Sequence, residues 1–392
     1  MADSLRILHV TRNLPPLVGG MERLNWHIAD ELSRHAEVRV VGPRGAAAHK
    51  PEAVEVAEVP LRPLWRFLLA SAWRSIREAR RFRPDVVLAG SGLTAPAAWL
   101  AARMVGGHAV AYVHGLDVAV RHPIYRAIWH PLLRRMGVVI ANSSATAVLV
   151  RGLGVEEHRI RIVHPGVGLP SAPQSSGALH DFRDRHGLGD GRLLLSIGRL
   201  TTRKGLREFV QQALPAIVQQ VPDAMLVVIG DAPAASLMAG VQTRDSIQAA
   251  ANAAGVGRHL HFLGVITDPK ELACAFECAD VHVFPVREIP GDPEGFGMVA
   301  IEAAAHGVPT VAFATGGVID AVAEGQSGNV VPPGDYAAFA GEVASVLSKE
   351  RAMQAECRAF VSQFAWPLFG QKLHAEMIAL AGVAGESSSG NG

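Results

Sequence analysis

Two glutamates eight residues apart, Glu294 and Glu302, bracket a Gly-Phe-Gly turn in PVREIPGDPEGFGMVAIEAAAHGVPTVAFATGG, residues 285–317. A strand end, a glycine turn and a helix start together make a site for an anion. Backbone N–H groups at Gly297, Met298 and Val299 point out of the helix N-terminus, and the helix dipole favours a negative group there by about 0.3–1 kcal/mol. A diphosphate suits such a site. Glu302 falls about one and a half turns into the helix, where it can accept bonds from ribose hydroxyls, and Glu294 lies before the turn, beside a sugar. Upstream, SIGRLTTRKGL (196–206) puts Arg199 and Lys204 in one strand-to-helix turn. A guanidinium fork and an ammonium point charge suit the charge that grows on a leaving nucleoside diphosphate. Taken alone, two glutamates and two cations also describe a solvated loop and an ordinary surface.

The density of the pattern decides between these. The run resembles the Glu-x7-Glu signature of retaining glycosyltransferases of family 4, including its glycine turn, Phe296 within it, and the downstream Ala-x-Gly-x-Pro and Gly-Gly. Gly-Arg followed by Lys-Gly at 198–205 resembles the same family's second motif. The resemblance implies a GT-B fold, an α/β architecture of two Rossmann-like doubly wound domains facing a central cleft. It also implies metal-independent transfer with retention of configuration. No Asp-x-Asp occurs in the chain, in keeping with a diphosphate held without a divalent metal, and no cofactor is expected.

Carried over residue by residue, the resemblance gives the expected site. Catalysis falls to His114, Arg199, Lys204 and Glu294. Donor phosphates meet Gly19 and Gly20 of PPLVGGMERL, the ribose meets Glu302, and the nucleobase lies near Gly230 and Asp231 of VIGDAP and the turn at Gly264 and Val265. In VIGDAP, Ala232 replaces the family's second glycine. Glu22, after the glycine pair, and Asp117 of AYVHGLD are expected acceptor contacts. The stretches ANSSAT and IVHPGV are expected to be architectural. Arg287 and Asp292 lengthen the loop before Glu294 and resemble members that use GDP-mannose; a UDP-sugar is the open alternative.

These residues need strand-end loops to hold them. Apolar strand-like runs at LRILHV, EVRVVG, PDVVLAG, HAVAYVHG, GVVIANS and RIRIVHPG alternate with helical patterns such as MERLNWHIADELSRHA, which indicates βαβ units and a parallel sheet. Residues 168–190, rich in Ser, Pro and Gly, are expected to be a linker. A second alternation follows: RLLLSIGRL, one helix through GLREFVQQALPAIVQQV, MLVVIGD, HLHFLGV, DVHVFPV, PTVAFA and NVVPP. The expected division is an acceptor-binding domain at 1–170 and a nucleotide-sugar domain at 171–365. A helix at about 366–383, bent or broken at Pro367, is expected to pack back on the first domain, and 384–392 to be a disordered tail. GSGLTA (90–95) fits a dinucleotide fingerprint but follows the fourth strand and lacks an acidic partner about twenty residues on, which argues against hydride transfer.

Length and composition agree with two domains: 392 residues, 49% apolar and 19% charged. Residues 1–170 hold 22 Lys+Arg against 13 Asp+Glu, and residues 171–392 hold 15 against 23. A basic first half implies an anionic partner, such as a phosphorylated or lipid-linked acceptor. Residues 62–83 read as a basic amphipathic helix carrying Trp65, Leu68, Leu69, Trp73 and Ile76 among arginines, and RHPIYRAIWHPLLRRMG reads similarly. Either can lie on an anionic membrane, and either can pack its apolar stripe on the sheet. The expected location is cytoplasmic, at the inner face of the membrane, since neither a secretory leader nor an apolar span of eighteen residues is visible. Cys274, Cys278 and Cys357 complete no metal motif and are expected to be buried thiols. Nucleic-acid binding has no support. A sugar-nucleotide epimerase and a non-catalytic sugar-nucleotide binder are the competing classes.

Overall fold

The computed structural model describes residues 4–233, 240–349 and 353–382. It divides into two compact units, Met1–Gly166 with Trp366–Gly392, and Val167–Ala365. Among the described residues no helix is long and apolar enough to cross a membrane.

Unit 1 is built on seven parallel strands, β1 Arg6–Val10, β2 Glu37–Pro43, β3 Glu55–Val59, β4 Val86–Ala89, β5 His108–Val113, β6 Val138–Ala141 and β7 Ile160–Ile162. Their order is β3-β2-β1-β4-β5-β6-β7, so the strand order reverses between β1 and β4. Its helices are α1 Gly20–Ser33, α2 Leu64–Phe82, α3 Ala95–Val105, α4 Gly115–Ala119, α5 Pro123–Leu133, α6 Ser144–Gly152 and the C-terminal helix Trp366–Ala381. The inner strands are mostly buried, β4 and β6 at every position, as expected of strands covered on both faces. One strand, β3, was not expected. Its sequence EVAEV carries Glu55 and Glu58 facing solvent, and it lies at the sheet edge, where a continuous apolar run is unnecessary.

The C-terminal helix begins at Trp366, so Pro367 opens it rather than breaking it. Proline fits the first turn because the N–H it lacks has no intrahelical acceptor there. This helix packs on α1, with the Trp366 ring stacked on His27 at 3.8 Å and His374 against His35 at 5.1 Å. The expected tail at 384–392 lies outside the described residues.

Unit 2 carries six parallel strands, β8 Leu193–Ile197, β9 Met225–Ile229, β10 Leu260–Gly264, β11 Val281–Phe284, β12 Thr310–Phe313 and β13 Gly328–Val331, in the order β10-β9-β8-β11-β12-β13. Its helices are α7 Ser176–Arg185, α8 Leu206–Gln212, α9 Leu214–Gln220, α10 Arg244–Ala253, α11 Pro269–Cys278, α12 Met298–Ala305, α13 Val318–Ala321, α14 Tyr336–Ser348 and α15 Gln354–Val361. The run GLREFVQQALPAIVQQV, expected as one helix, divides into α8 and α9 just before Pro215.

The expected linker also needs correction, because it contains α7. Ser175 caps that helix by accepting from the Ala178 N–H at 3.2 Å. Phe182 is buried beside Leu188, Phe276 and Cys278, and Arg183 donates to the Cys278 carbonyl at 3.1 Å. One buried ring and one buried carbonyl hold a segment whose polar composition hid its role. Cys274, Cys278 and Cys357 are all buried and, among the described residues, form no disulfide, and burial pushes the Cys357 thiol up to about 12. Removing the α7 anchor with Phe182→Ala should lower the stability of unit 2 by about 3–5 kcal/mol, read from chemical denaturation. A loss under about 1 kcal/mol would show that α7 is only draped on the surface.

Candidate functional site

One of the two expected cations, Lys204, meets the first expected glutamate in unit 2, together with Arg203. β8 ends at Ile197, and a short 3-10 turn at Thr202–Lys204 leads into α8. The Lys204 Nζ donates to Glu294 Oε2 at 2.8 Å, and the Arg203 guanidinium donates to the same oxygen at 2.8 Å. Arg203 also donates to the Pro293 carbonyl at 3.2 Å and pairs with Asp292 at 3.4 Å. Side-chain exposure is 11% for Glu294, 12% for Arg203 and 21% for Lys204, so two cations and a carboxylate share a mostly dry space. Lys204 also lies 4.5 Å from the Phe284 ring centre. Arg199 is exposed and has no ion pair among the described residues. Ser196, Gly198, Arg199, Lys204 and Pro285 line a small pocket at this turn.

The electrostatics follow from the packing. Burial pushes the Glu294 carboxyl up, but the charges of Lys204 and Arg203 and the Lys204 hydrogen bond outweigh it and hold the group at about 2. Lys204 moves down, because burial outweighs the attraction of Glu294. His282, wholly buried on β11, is driven down to about 3 by burial and by Lys204, so it adds no charge.

Glycines give the loop its shape. Gly297 caps α12 at φ 90°, a conformation that side chains resist, so the Met298 and Val299 N–H groups open the helix without an intrahelical acceptor. Gly316 has φ 55°, and a Cβ there would stand 2.5 Å from the Glu294 carbonyl oxygen. Gly317 donates its N–H to that carbonyl at 3.0 Å. The Gly-Gly pair at 316–317 is thus the seat of the Glu294 backbone. Phe296 is buried beneath the turn, and Glu302 is half-buried on α12.

The expected nucleobase residues also come together. The Gly230 N–H donates to the Gly264 carbonyl at 2.7 Å, joining the ends of β9 and β10. Asp231 is exposed and pairs with Arg244 at 3.0 Å, and Val265 is 61% exposed. Arg244, beside Gly264, was not among the expected residues. Arg287 is occupied in an ion pair with Glu208 at 2.7 Å.

In unit 1 the sheet's C-terminal edge collects a second group. His114 follows β5 and is buried, with Nε2 3.4 Å from the Gly90 carbonyl and Nδ1 3.4 Å from the Asn142 amide. Asn142 belongs to ANSSAT, which was expected to be purely architectural. Ser143 does fill that role by capping α6, but Asn142 touches His114. Asp117 accepts the His114 N–H at 3.0 Å, so one of its oxygens caps α4. Among the described residues Ser91 Oγ, Tyr125 OH and Asn142 Oδ1 are buried with no hydrogen-bond partner, whereas buried polar groups are normally bonded. Gly19 caps α1, which begins at Gly20. Glu22 accepts from Asn13 at 2.7 Å.

Comparison with known proteins gives the family. A model described as glycosyl transferases group 1 matches residues 180–362, and one described as glycosyltransferase family 4 matches 18–169. A GDP-mannose-dependent alpha-(1-6)-phosphatidylinositol monomannoside mannosyltransferase of Mycolicibacterium smegmatis is 30% identical over 88% of this chain and 90% of its own. The chain belongs to the family 4 glycosyltransferases. Its GT-B fold recurs in Anabaena HepE solved with UDP (TM-score 0.77, 21% identity, 96% of this chain and 100% of that one). It recurs too in sucrose-phosphate synthase from Thermosynechococcus elongatus (TM-score 0.78, 20% identity, 97% and 100%).

The transferase therefore keeps a buried carboxylate ionised between two cations. Its charged form contributes stability fully above the ordinary carboxyl value of 4.5, and the contribution is lost as pH falls through about 2. Glu294→Gln leaves Arg203 and Lys204 without their shared anion and should cost about 3–5 kcal/mol at neutral pH. The deficit relative to wild type should shrink as pH drops from 4.5 toward 2, measured by denaturant unfolding at each pH. A deficit independent of pH would mean that shape, not charge, is lost.

Proposed function

We propose that the transferase moves a hexose from a nucleoside diphosphate sugar to a glycan or lipid-linked acceptor, with retention of configuration and without a metal. The carrying observation is Lys204, bonded to Glu294 and lining one small pocket with Arg199 at the turn after β8. Electropositive, partly dry donors of this kind stabilise charge developing on a leaving diphosphate, which is the work a divalent ion does elsewhere. In the proposed step the bond from C1 to the diphosphate oxygen breaks on the same face on which the acceptor oxygen bonds to C1. The acceptor's proton passes to the departing phosphate. The fixed charge of Glu294 favours positive charge at the anomeric carbon, and Glu302 holds the ribose. Gly230, Asp231, Gly264 and Val265, with Arg244, receive the base.

GDP-mannose is the favoured donor, supported by the near full-length mycobacterial relative and by the lengthened loop before Glu294. A UDP-sugar is the second reading, since HepE was solved with UDP. In unit 1, His114, with Ser91, Asn142 and Tyr125 around it, offers hydroxyl-sized partners for the acceptor, and Glu22 and the free oxygen of Asp117 add acceptor contacts. Thermal unfolding with GDP, GDP-mannose, UDP, UDP-glucose and UDP-N-acetylglucosamine, in the presence of a chelator, separates these readings. At a hundredfold excess over Kd the matching series should raise Tm by roughly 5–10 °C. No shift from any nucleotide contradicts the donor site.

The membrane face is the other part of the proposal. The buried side of α2 consists of Phe67, Ser71, Ser75, Glu78, Ala79 and Phe82. Trp65, Leu69 and Trp73, one helical turn apart, are instead 64%, 66% and 60% exposed, and Arg62, Arg66, Arg77, Arg80 and Arg81 are exposed around them. Arg77 covers the Trp73 ring at 5.4 Å. An apolar ridge in a basic field fits an anionic bilayer at the cytoplasmic face, where a lipid-linked acceptor is presented. Co-sedimentation with vesicles of phosphatidylglycerol and phosphatidylcholine should fall at least tenfold for the triple change Trp65→Ala, Leu69→Ala, Trp73→Ala. Equal binding of variant and wild type would remove α2 from the contact.

A further inference from the structure

The donor reading uses Lys204 and leaves Arg203 without a task, although Arg203 is the more deeply engaged of the two. Among the described residues Lys204 has one ion pair, to Glu294. Arg203 has Glu294, Asp292 and the Pro293 carbonyl, and its own carbonyl accepts the Arg287 N–H at 2.8 Å. It therefore ties the 3-10 turn at Thr202–Lys204 to both ends of the 287–294 loop. The two cations share a single oxygen, Glu294 Oε2. A diphosphate entering beside Arg199 competes for the flexible ammonium of Lys204, which has one bond to give up. It competes less well for the planar guanidinium, whose Nη1 bonds both Glu294 and the Pro293 carbonyl and whose charge also pairs with Asp292.

We infer that Arg203 is a positioning residue: when the donor diphosphate draws Lys204 away from Glu294, Arg203 keeps that carboxylate in place and holds its loop shut. The inference rests on the donor reading above. The resting Lys204–Glu294 pair is then a latch that donor binding exchanges. Without Arg203, the same exchange would strip a buried carboxylate of its last cation, and a buried carboxylate left alone takes up a proton. The damage would appear in the bound complex and not in nucleotide affinity.

The test measures Kd for GDP and UDP by calorimetry, and the kcat–pH profile for nucleoside diphosphate release from GDP-mannose or UDP-glucose. Lys204→Met should weaken the matching nucleotide at least tenfold. Arg203→Met should leave that Kd within about threefold, lower kcat at least tenfold at pH 7, and move the acid limb of kcat up by about one to three pH units. Arg203→Lys should return the acid limb to its wild-type position with an intermediate kcat, because it restores the charge but not the fork. If Arg203→Met does not fold, Arg203→Lys alone decides by the same two readouts. An Arg203 variant that loses nucleotide affinity as Lys204→Met does would make it a phosphate ligand and overturn the inference. So would a variant with wild-type kcat and acid limb. A wild-type chain that binds neither nucleotide overturns the donor reading, and this role with it.

Discussion

One oxygen of Glu294 accepts from two cations in a space that is mostly closed to water. Much of unit 2 around the site can be understood as the means of keeping that arrangement. A carboxylate so placed would be neutral unless cations stood beside it, and cations so placed would lose their charge or their place without the carboxylate. The backbone has to bring a turn after β8 and a loop after β11 to within a few ångströms, and it does so through close contacts that side chains would obstruct. Gly316 and Gly317 seat the Glu294 carbonyl, and Gly205 at φ 69° lets the 3-10 turn pass under the Pro285 carbonyl. His282 beneath the site is held neutral, so the charge balance is set by the loop residues alone.

The two units divide the chemistry by charge and by surface. In the proposed reading, unit 2 offers fixed positive charge and helix N–H groups to an anion. Unit 1 holds small buried polar groups (Ser91, Asn142, Tyr125) and the His114 imidazole at the C-terminal ends of its strands. That edge, next to the point between β1 and β4 where strand order reverses, is where open α/β sheets take ligands. The exposed Trp65, Leu69 and Trp73 of α2 lie on the same unit.

Much of this was legible in the residues because the chemistry repeats a spacing. Glu294, Glu302, Arg199 and Lys204 stand in dense motifs, and the strands that hold them are continuous apolar runs. What stayed hidden has local physical causes. β3 lies at a sheet edge with glutamates facing water, and α7 carries a single buried ring in a polar segment. Arg203 is one cation in the run TTRK, and nothing in that run says that Asp292 and Glu294, some ninety residues on, would close around it. The adjacency of Arg203 to Lys204 was the available signal. Asn142 meets His114 only because β6 pairs with β5. Asp117, expected to touch the acceptor, has a cap to fill first, a role that an N-terminal carboxylate takes readily.

The most direct test of the central claim is a crystal structure of the transferase with bound GDP or UDP. The account predicts the β-phosphate on Arg199, on Lys204 and on the N–H groups of Met298 and Val299, with Lys204 withdrawn from Glu294 and Arg203 still bonded to it. A nucleotide bound elsewhere, with the Lys204–Glu294 pair intact at 2.8 Å, would contradict it.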